Sequence, residues 1–72
     1  MLYIVQVAVL STRERAAALA ARLRAAGFSP YLVRVPQGYA VRLGAFRERP
    51  RAQLLTRQAA ARGFPVAIIV RR

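Results

Sequence analysis

Cysteine, histidine, aspartate, asparagine and lysine are all missing from this 72-residue chain. Without cysteine there are neither disulfides nor thiolate metal sites. Without histidine or aspartate, no Ser-His-Asp or Cys-His arrangement can be assembled. The hydroxyls of Ser11, Thr12, Ser29 and Thr56 have no neutral base beside them. Glu14 and Glu48 are the only acids. A glycosidase pair needs two carboxylates flanking one bond, but both of these fall at predicted helix starts, where an acid caps amides and meets the macrodipole. Two scattered carboxylates make no metal site, and no glycine-rich phosphate loop precedes either helix. The chain is therefore expected to be non-catalytic and to need no cofactor. It also lacks any apolar run near the roughly 18 residues that span a membrane. Residues 1–3 begin no basic segment followed by an apolar one, so no signal peptide is visible. A role outside the cytoplasm then requires a longer exported protein around this domain.

What is present is apolar and basic. Hydrophobic residues make up 57% of the chain at a mean hydropathy of +0.28, which excludes disorder. The length suffices for one domain, residues 1–72. All 13 basic residues are arginine and the formal net charge is +11. The arginine- and alanine-rich composition partly reflects a biased genome, but the charge is still physical. A field of one sign favours anionic partners, and nucleic acid, anionic lipid and carboxylate-bearing polysaccharide all qualify.

The chain repeats itself at a shift of 36 residues. Tyr3 falls on Tyr39, Val5 on Val41, Leu19 on Leu55, and Gly27-Phe28 on Gly63-Phe64. Matches among alanines and arginines arise easily by chance, whereas Tyr-x-Val opening and Gly-Phe closing each half do not. The repeat units run 3–35 and 39–70, too few copies for a solenoid.

Each unit reads strand, helix, strand. Residues 2–9 are rich in β-branched side chains and suit a strand. Ser11-Thr12-Arg13-Glu14 matches a capping box, and Ala16, Leu19, Ala20, Leu23 and Ala26 follow at helical spacing. Gly27 ends the helix, residues 30–35 form a strand, and Pro36-Gln37-Gly38 turns the chain. Residues 39–45 begin the second unit. Pro50 fits a first helical turn, Ala52, Leu55 and Ala59 continue that helix, and residues 64–70 form the last strand. The result is an α+β fold of βαββαβ, ferredoxin-like order: a four-stranded antiparallel sheet with two helices packed on one face.

Strand alternation assigns two faces to that sheet. Odd positions, among them Tyr3, Val5, Val7, Val33, Tyr39, Val41, Leu43, Ala67 and Ile69, are expected to meet the helices and form the core. Even positions, among them Ile4, Gln6, Ala8, Leu32, Arg34, Ala40, Arg42, Gly44, Val66 and Ile68, are expected to point away. No third layer remains to cover them, so this open face reads as an interaction surface. The helix arginines Arg13, Arg15, Arg22 and Arg24 flank the apolar stripe and read as a solvated border.

These residues resemble the SPOR (sporulation-related repeat) domain over nearly the whole chain. Val5-Gln6-Val7-Ala8-Val9-Leu10 stands where that family has an opening strand of roughly V-Q-x-G-S-F. Ala25-Ala26-Gly27-Phe28 matches its Gly-Phe helix closure, and Tyr39-Ala40-Val41-Arg42-Leu43-Gly44-Ala45-Phe46 its third strand, Y-R-V-R-V-G-P-F. Here the family's first-strand glycine is Ala8, the small polar residue after it is Val9, and a frequent third-strand arginine is Ala40. The resemblance implies an RNA-recognition-like fold that binds peptidoglycan glycan strands stripped of stem peptides. It also implies a place at the cell envelope, at the division septum, as a C-terminal part of a longer protein. A stripped strand carries a free lactyl carboxylate on each N-acetylmuramic acid, and arginine can pair with it through two parallel hydrogen bonds. The glycan contacts so implied are Gln6, Ile4, Ala8, Leu32, Arg34, Ala40, Arg42 and Ile68, with Arg42 or Arg34 standing in for the family's arginine.

Two other partners fit the residues. The charge suits single-stranded nucleic acid, although such a sheet normally offers two or three stacking aromatics. Tyr3 and Tyr39 have helix-facing parity, and residues 38–45 lack the usual nucleic-acid pattern. The apolar open face also suits self-association.

Overall fold

A computed structural model describes all 72 residues as β1 (Leu2–Leu10), α1 (Arg13–Ala25), β2 (Tyr31–Val35), β3 (Gly38–Phe46), α2 (Arg49–Ala61) and β4 (Ala67–Arg71). The four strands form one antiparallel sheet in the order β2-β3-β1-β4. Each helix carries the chain from a central strand to an edge strand, skipping one neighbour, which is the expected βαββαβ arrangement. Every element of the first half recurs 36 residues later at the same length. The sheet and helices make two layers, and the shortest dimension between Cα atoms is only 15 Å. One sheet face is left without a covering layer.

The core lies between sheet and helices. Val5, Val41 and Leu43 from the central strands meet Ala16 and Leu23 of α1, Ala52 and Ala59 of α2, and Phe64. Alanine dominates the buried helix positions, and its small side chain lets both helices sit close to the sheet. Leucine and the aromatics fill what remains: burying a side chain of that size contributes about 1.5–3 kcal/mol.

The Gly-Phe pairs close both helices alike. Gly27 has φ +96° and Gly63 φ +86°, the left-handed conformation that glycine adopts without penalty. The amide of Phe28 then donates to the carbonyl of Leu23, and that of Gly27 to Arg24. The amides of Phe64 and Gly63 donate in the same way to Ala59 and Ala60. This Schellman closure satisfies carbonyls that a helix end leaves open. It also drops Phe28 and Phe64 edge to face over the core, with ring centroids 6.3 Å apart. Because Phe64 completes the closure and Pro65 has no N–H to donate, the last strand begins at Ala67, not at residue 64 as expected.

The start of α1 also differs from the expected capping box. Thr12 is the N-cap and its hydroxyl accepts from the amide of Arg15 at 3.2 Å. Ser11 lies outside the helix, and Glu14 sits in the first turn as a macrodipole partner. At α2, the N-cap Glu48 makes no cap hydrogen bond. Its carboxylate lies 3.7 Å from Arg51 in an exposed pair, a contact worth little.

Gly38 closes the β2–β3 hairpin at φ +137°, and a Cβ added there would stand 2.1 Å from the carbonyl oxygen of Leu10. Around Gly27 a Cβ would meet nothing within 4 Å. Gly27→Ala should therefore cost only its left-handed strain, about 1–2 kcal/mol. Gly38→Ala adds a backbone clash and should cost about 3 kcal/mol or more. Urea midpoints of the two variants check this; equal losses would refute the clash.

Candidate functional site

Which side chains reach the uncovered face is decided by strand register. The β2–β3 hairpin has a two-residue loop, so Val35 pairs with Gly38, Val33 with Ala40 and Tyr31 with Arg42. Odd positions of β2 therefore share a face with even positions of β3. Central strands β1 and β3 pair Gln6 with Arg42, but the register slips on both sides of that pair, skipping Leu43 in β3 and Val7 in β1. Each slip is a bulge, an extra residue that re-aims the side chains beyond it. After the bulges Val9 pairs with Ala40, and Ile4 with Ala45. On the other side β4 places Ala67 beside Gln6 and Ile69 beside Ile4.

The open face is centred on three rows, with Leu2 and Arg71 beyond one flank and Val35 and Gly38 beyond the other. Tyr31, Arg42, Gln6 and Ala67 cross all four strands at its centre. Val33, Ala40 and Val9 lie on one side of this row, and Ala45, Ile4 and Ile69 on the other. Ile4 and Ala40 are buried although no helix covers them, because they stand on central strands between larger neighbours. Val9 and Tyr31 remain exposed.

At the centre the Nε–H of Arg42 donates to Oε1 of Gln6 at 3.1 Å, between half-buried side chains. A neutral amide is the partner, so the guanidinium keeps its whole charge. Nε is occupied, which leaves the N–H groups of the two terminal nitrogens free toward solvent. Those nitrogens form the planar fork that grips a carboxylate. An apolar surface with one oriented cation, one amide and one phenol can hold a neutral ring against its rows and an anionic substituent at Arg42.

Of the residues expected on this face, Gln6, Ile4, Ala40 and Arg42 are there. Leu32, Arg34 and Ile68 are not. Leu32 and Ile68 pack against the core from the helix side, and the Arg34 guanidinium lies 5.7 Å from the Tyr39 ring centroid on that same side. Carrying one parity across all strands misplaced them: the two-residue hairpin pairs odd positions of β2 with even positions of β3, and β1 likewise pairs its even positions with odd positions of β4. The same correction moves Val33, Ala67 and Ile69 out of the helix-facing set. Ala8 is corrected for another reason: beyond the bulge it pairs with the core residue Val41. Its counterpart Gly44 has no room for a larger side chain, since a Cβ there would stand 3.0 Å from the Phe46 ring. Tyr31 was missed altogether. The Pro36-Gln37 turn held the signal, because it fixes Tyr31 opposite Arg42.

Two hollows, of about 360 and 190 Å³, are found elsewhere. The first lies at the helix ends beside Phe28 and Arg62, the second between Phe46 and Leu54. Neither touches the three rows, and a flat face for an extended ligand would not register as a cavity.

No protein-family model matches the chain, and no curated protein does. Among solved structures it is similar to the peptidoglycan-binding domain of the B. subtilis cell wall lytic enzyme CwlC, seen in solution. The two are 30% identical with a TM-score of 0.87, over 99% of this chain and 90% of that one.

Arg42 is the one arginine whose Nε–H has a protein acceptor. Its Nε proton should exchange with water about tenfold more slowly than those of the other arginines. Gln6→Met should erase the difference. Uniform exchange in the unaltered protein, read by NMR, would mean the pair does not form.

Proposed function

We propose, since this chain belongs to the family of the CwlC peptidoglycan-binding domain, that it is a non-catalytic module holding peptidoglycan through its open sheet face. The finer reading is of the SPOR type: the ligand is the glycan strand stripped of its stem peptides, and the module directs a longer envelope or division protein to the wall. The observation that carries the reading is the likeness to CwlC along 99% of the chain.

The chemistry of the face supports it. Apolar rows suit the C–H faces of sugar rings, and Tyr31 can stack on one. The forked Arg42 suits a lactyl carboxylate, while Gln6 can donate its amide N–H to an N-acetyl oxygen. All of these groups bind and none is placed to break a bond. Nucleic acid is disfavoured because the face carries the single aromatic Tyr31, fewer than base-stacking sheets use.

Sedimentation with sacculi before and after amidase treatment tests the proposal. Retention should rise on the stripped strands and survive a single-stranded RNA competitor. Arg42→Ala and Tyr31→Ala should each weaken it about tenfold, which corresponds to 1.4 kcal/mol. Arg34→Ala, on the helix side, should leave it unchanged. Retention that RNA abolishes, or that ignores amidase treatment and Arg42 alike, would sink the reading.

A further inference from the structure

The helix layer, on the other side of the sheet from the open face, is not closed. Both helices pack on the strands, but α1 and α2 nowhere pack against each other. They are bridged past their C-terminal ends, where Arg62 donates to the carbonyl of Ala26 at 3.2 Å and Phe28 meets Phe64. The two hollows follow the flank of α2 that faces this gap. Ala26, Phe28, Ala61 and Arg62 line the larger, and Phe46, Arg51, Leu54 and Leu55 the smaller. Gln58 lines both, so they are neighbouring parts of one groove.

The groove is apolar below and basic at its rim. Leu54 forms a wall although it is 50% exposed, and the matched position in α1 is Ala18. The fold therefore does not require a leucine there, and no hollow forms beside Ala18. Arg51 lies over the Phe46 ring, Arg22 over the Phe64 ring, and Arg62 at the Ala26 carbonyl. Of the two acids, Glu48 meets Arg51 only in the exposed pair at 3.7 Å. Glu14 lies in the first turn of α1, about two turns before Arg22. The rim thus carries uncompensated positive charge above an aromatic and aliphatic floor.

An occupant has to bring carboxylates and apolar side chains together. This chain cannot supply it, because both its acids are fixed at helix starts. Arg51 and Arg62 stand about 16 Å apart along α2, a length that about five extended residues cover. Gln58, at the junction of the hollows, offers an amide donor and acceptor. An extended main chain has free N–H and C=O groups to meet it, whereas a helix has already paired its own. We infer that the groove seats an extended, acidic segment of a partner protein. Alternate side chains of such a segment face opposite ways. Its apolar ones enter the hollows beside Leu54 and Phe28, and its acids meet the arginine rim. The hollows fix the segment's position, and the exposed arginines select its sign of charge. Because the groove and the open sheet face lie on opposite sides of the domain, both can be occupied at once. The domain then works as an adaptor that joins the partner to whatever the sheet holds.

The experiment titrates the whole ¹⁵N-labelled chain, at physiological salt, with the capped peptide Glu-Leu-Ala-Leu-Glu. Amide shifts should change along residues 54–62 and 26–28 and stay unchanged at Gln6 and Arg42. Leu54→Ala, which reproduces the residue of α1, should weaken binding about tenfold, as should serine in place of the peptide's leucines. The peptide with lysine in place of glutamate should not bind. Leu54→Ala should retain its hold on stripped sacculi, which shows that the variant is folded. Equal binding of the lysine peptide overturns the inference, and so does the absence of any shift with the acidic one. Shifts spread over Arg13, Arg24 and Arg57 and undiminished in Leu54→Ala overturn it as well, since they report only diffuse attraction to the +11 charge. None of these results bears on the glycan reading, which is tested at Arg42.

Discussion

The antiparallel pairing of β1 with β3 carries two bulges, one in each strand, and the position of every side chain on the open face follows from them. A bulge in one strand alone would shift the pairing beyond it by one residue. Each bulge here sets two consecutive residues on the helix side, Leu43-Gly44 and Val7-Ala8, so the parity of its own strand reverses beyond it. Skipping Leu43 and then Val7 restores the register after a single displaced pair, Gln6 and Arg42. The displaced pair is the one whose side chains join. The same irregularity lets Leu10 and Phe46 turn inward at the strand ends and pack on the core. Local twist, core packing and the centre of the candidate site are therefore one feature.

Electrostatics explains why that centre stays available. A half-buried arginine beside a carboxylate would be neutralised, and its fork would be filled. Here both acids sit at helix starts, so nothing on the sheet competes for Arg42. The other arginines hold no comparable station. Arg22 and Arg51 lie over the rings of Phe64 and Phe46 at 5.5 and 5.2 Å, and Arg62 donates to the carbonyl of Ala26. Their stems cover apolar surface while their charge remains in water. The overall charge draws anions from a distance, as any field of one sign does. Orientation of an anion belongs to Arg42, because Gln6 fixes its fork.

Much of this was legible in the residues. Gly27-Phe28 and Gly63-Phe64 announce helix closures by mechanism, since a left-handed residue followed by an apolar one is what the Schellman motif requires. The 36-residue shift announces the doubled βαβ unit. The faces were harder. Parity within one strand says which residues share a side, but not which side, and only register connects one strand to the next. The hairpin loop at Pro36-Gln37 carried that register for β2 and would have brought Tyr31 to the open face. No such loop exists for β4, which reaches the sheet after a helix, so Ile68 and Ile69 could not be told apart by pattern alone. The bulge that turns Ala8 inward leaves even less trace. A small residue there, as at Gly44, is compatible with either side until Phe46 and Leu55 are seen to fill the space.

The two halves have diverged on both faces of the sheet: Leu10 stands where the other half has Phe46 and Leu32 where it has Ile68 on the helix side, and Gln6 where it has Arg42 on the open side. Positions that meet the helices are constrained twice, by their own half and by the half packed beside it, as Phe28 is by Phe64. Changing one of such a pair alone opens a cavity or forces overlap. The open face has no layer above it, so its matched positions are free of that restraint. Solubility favours polar residues there, yet the rows beside the centre remain apolar, and the polar groups are Gln6 and Arg42 at the centre and Arg71 opposite Leu2 at one edge.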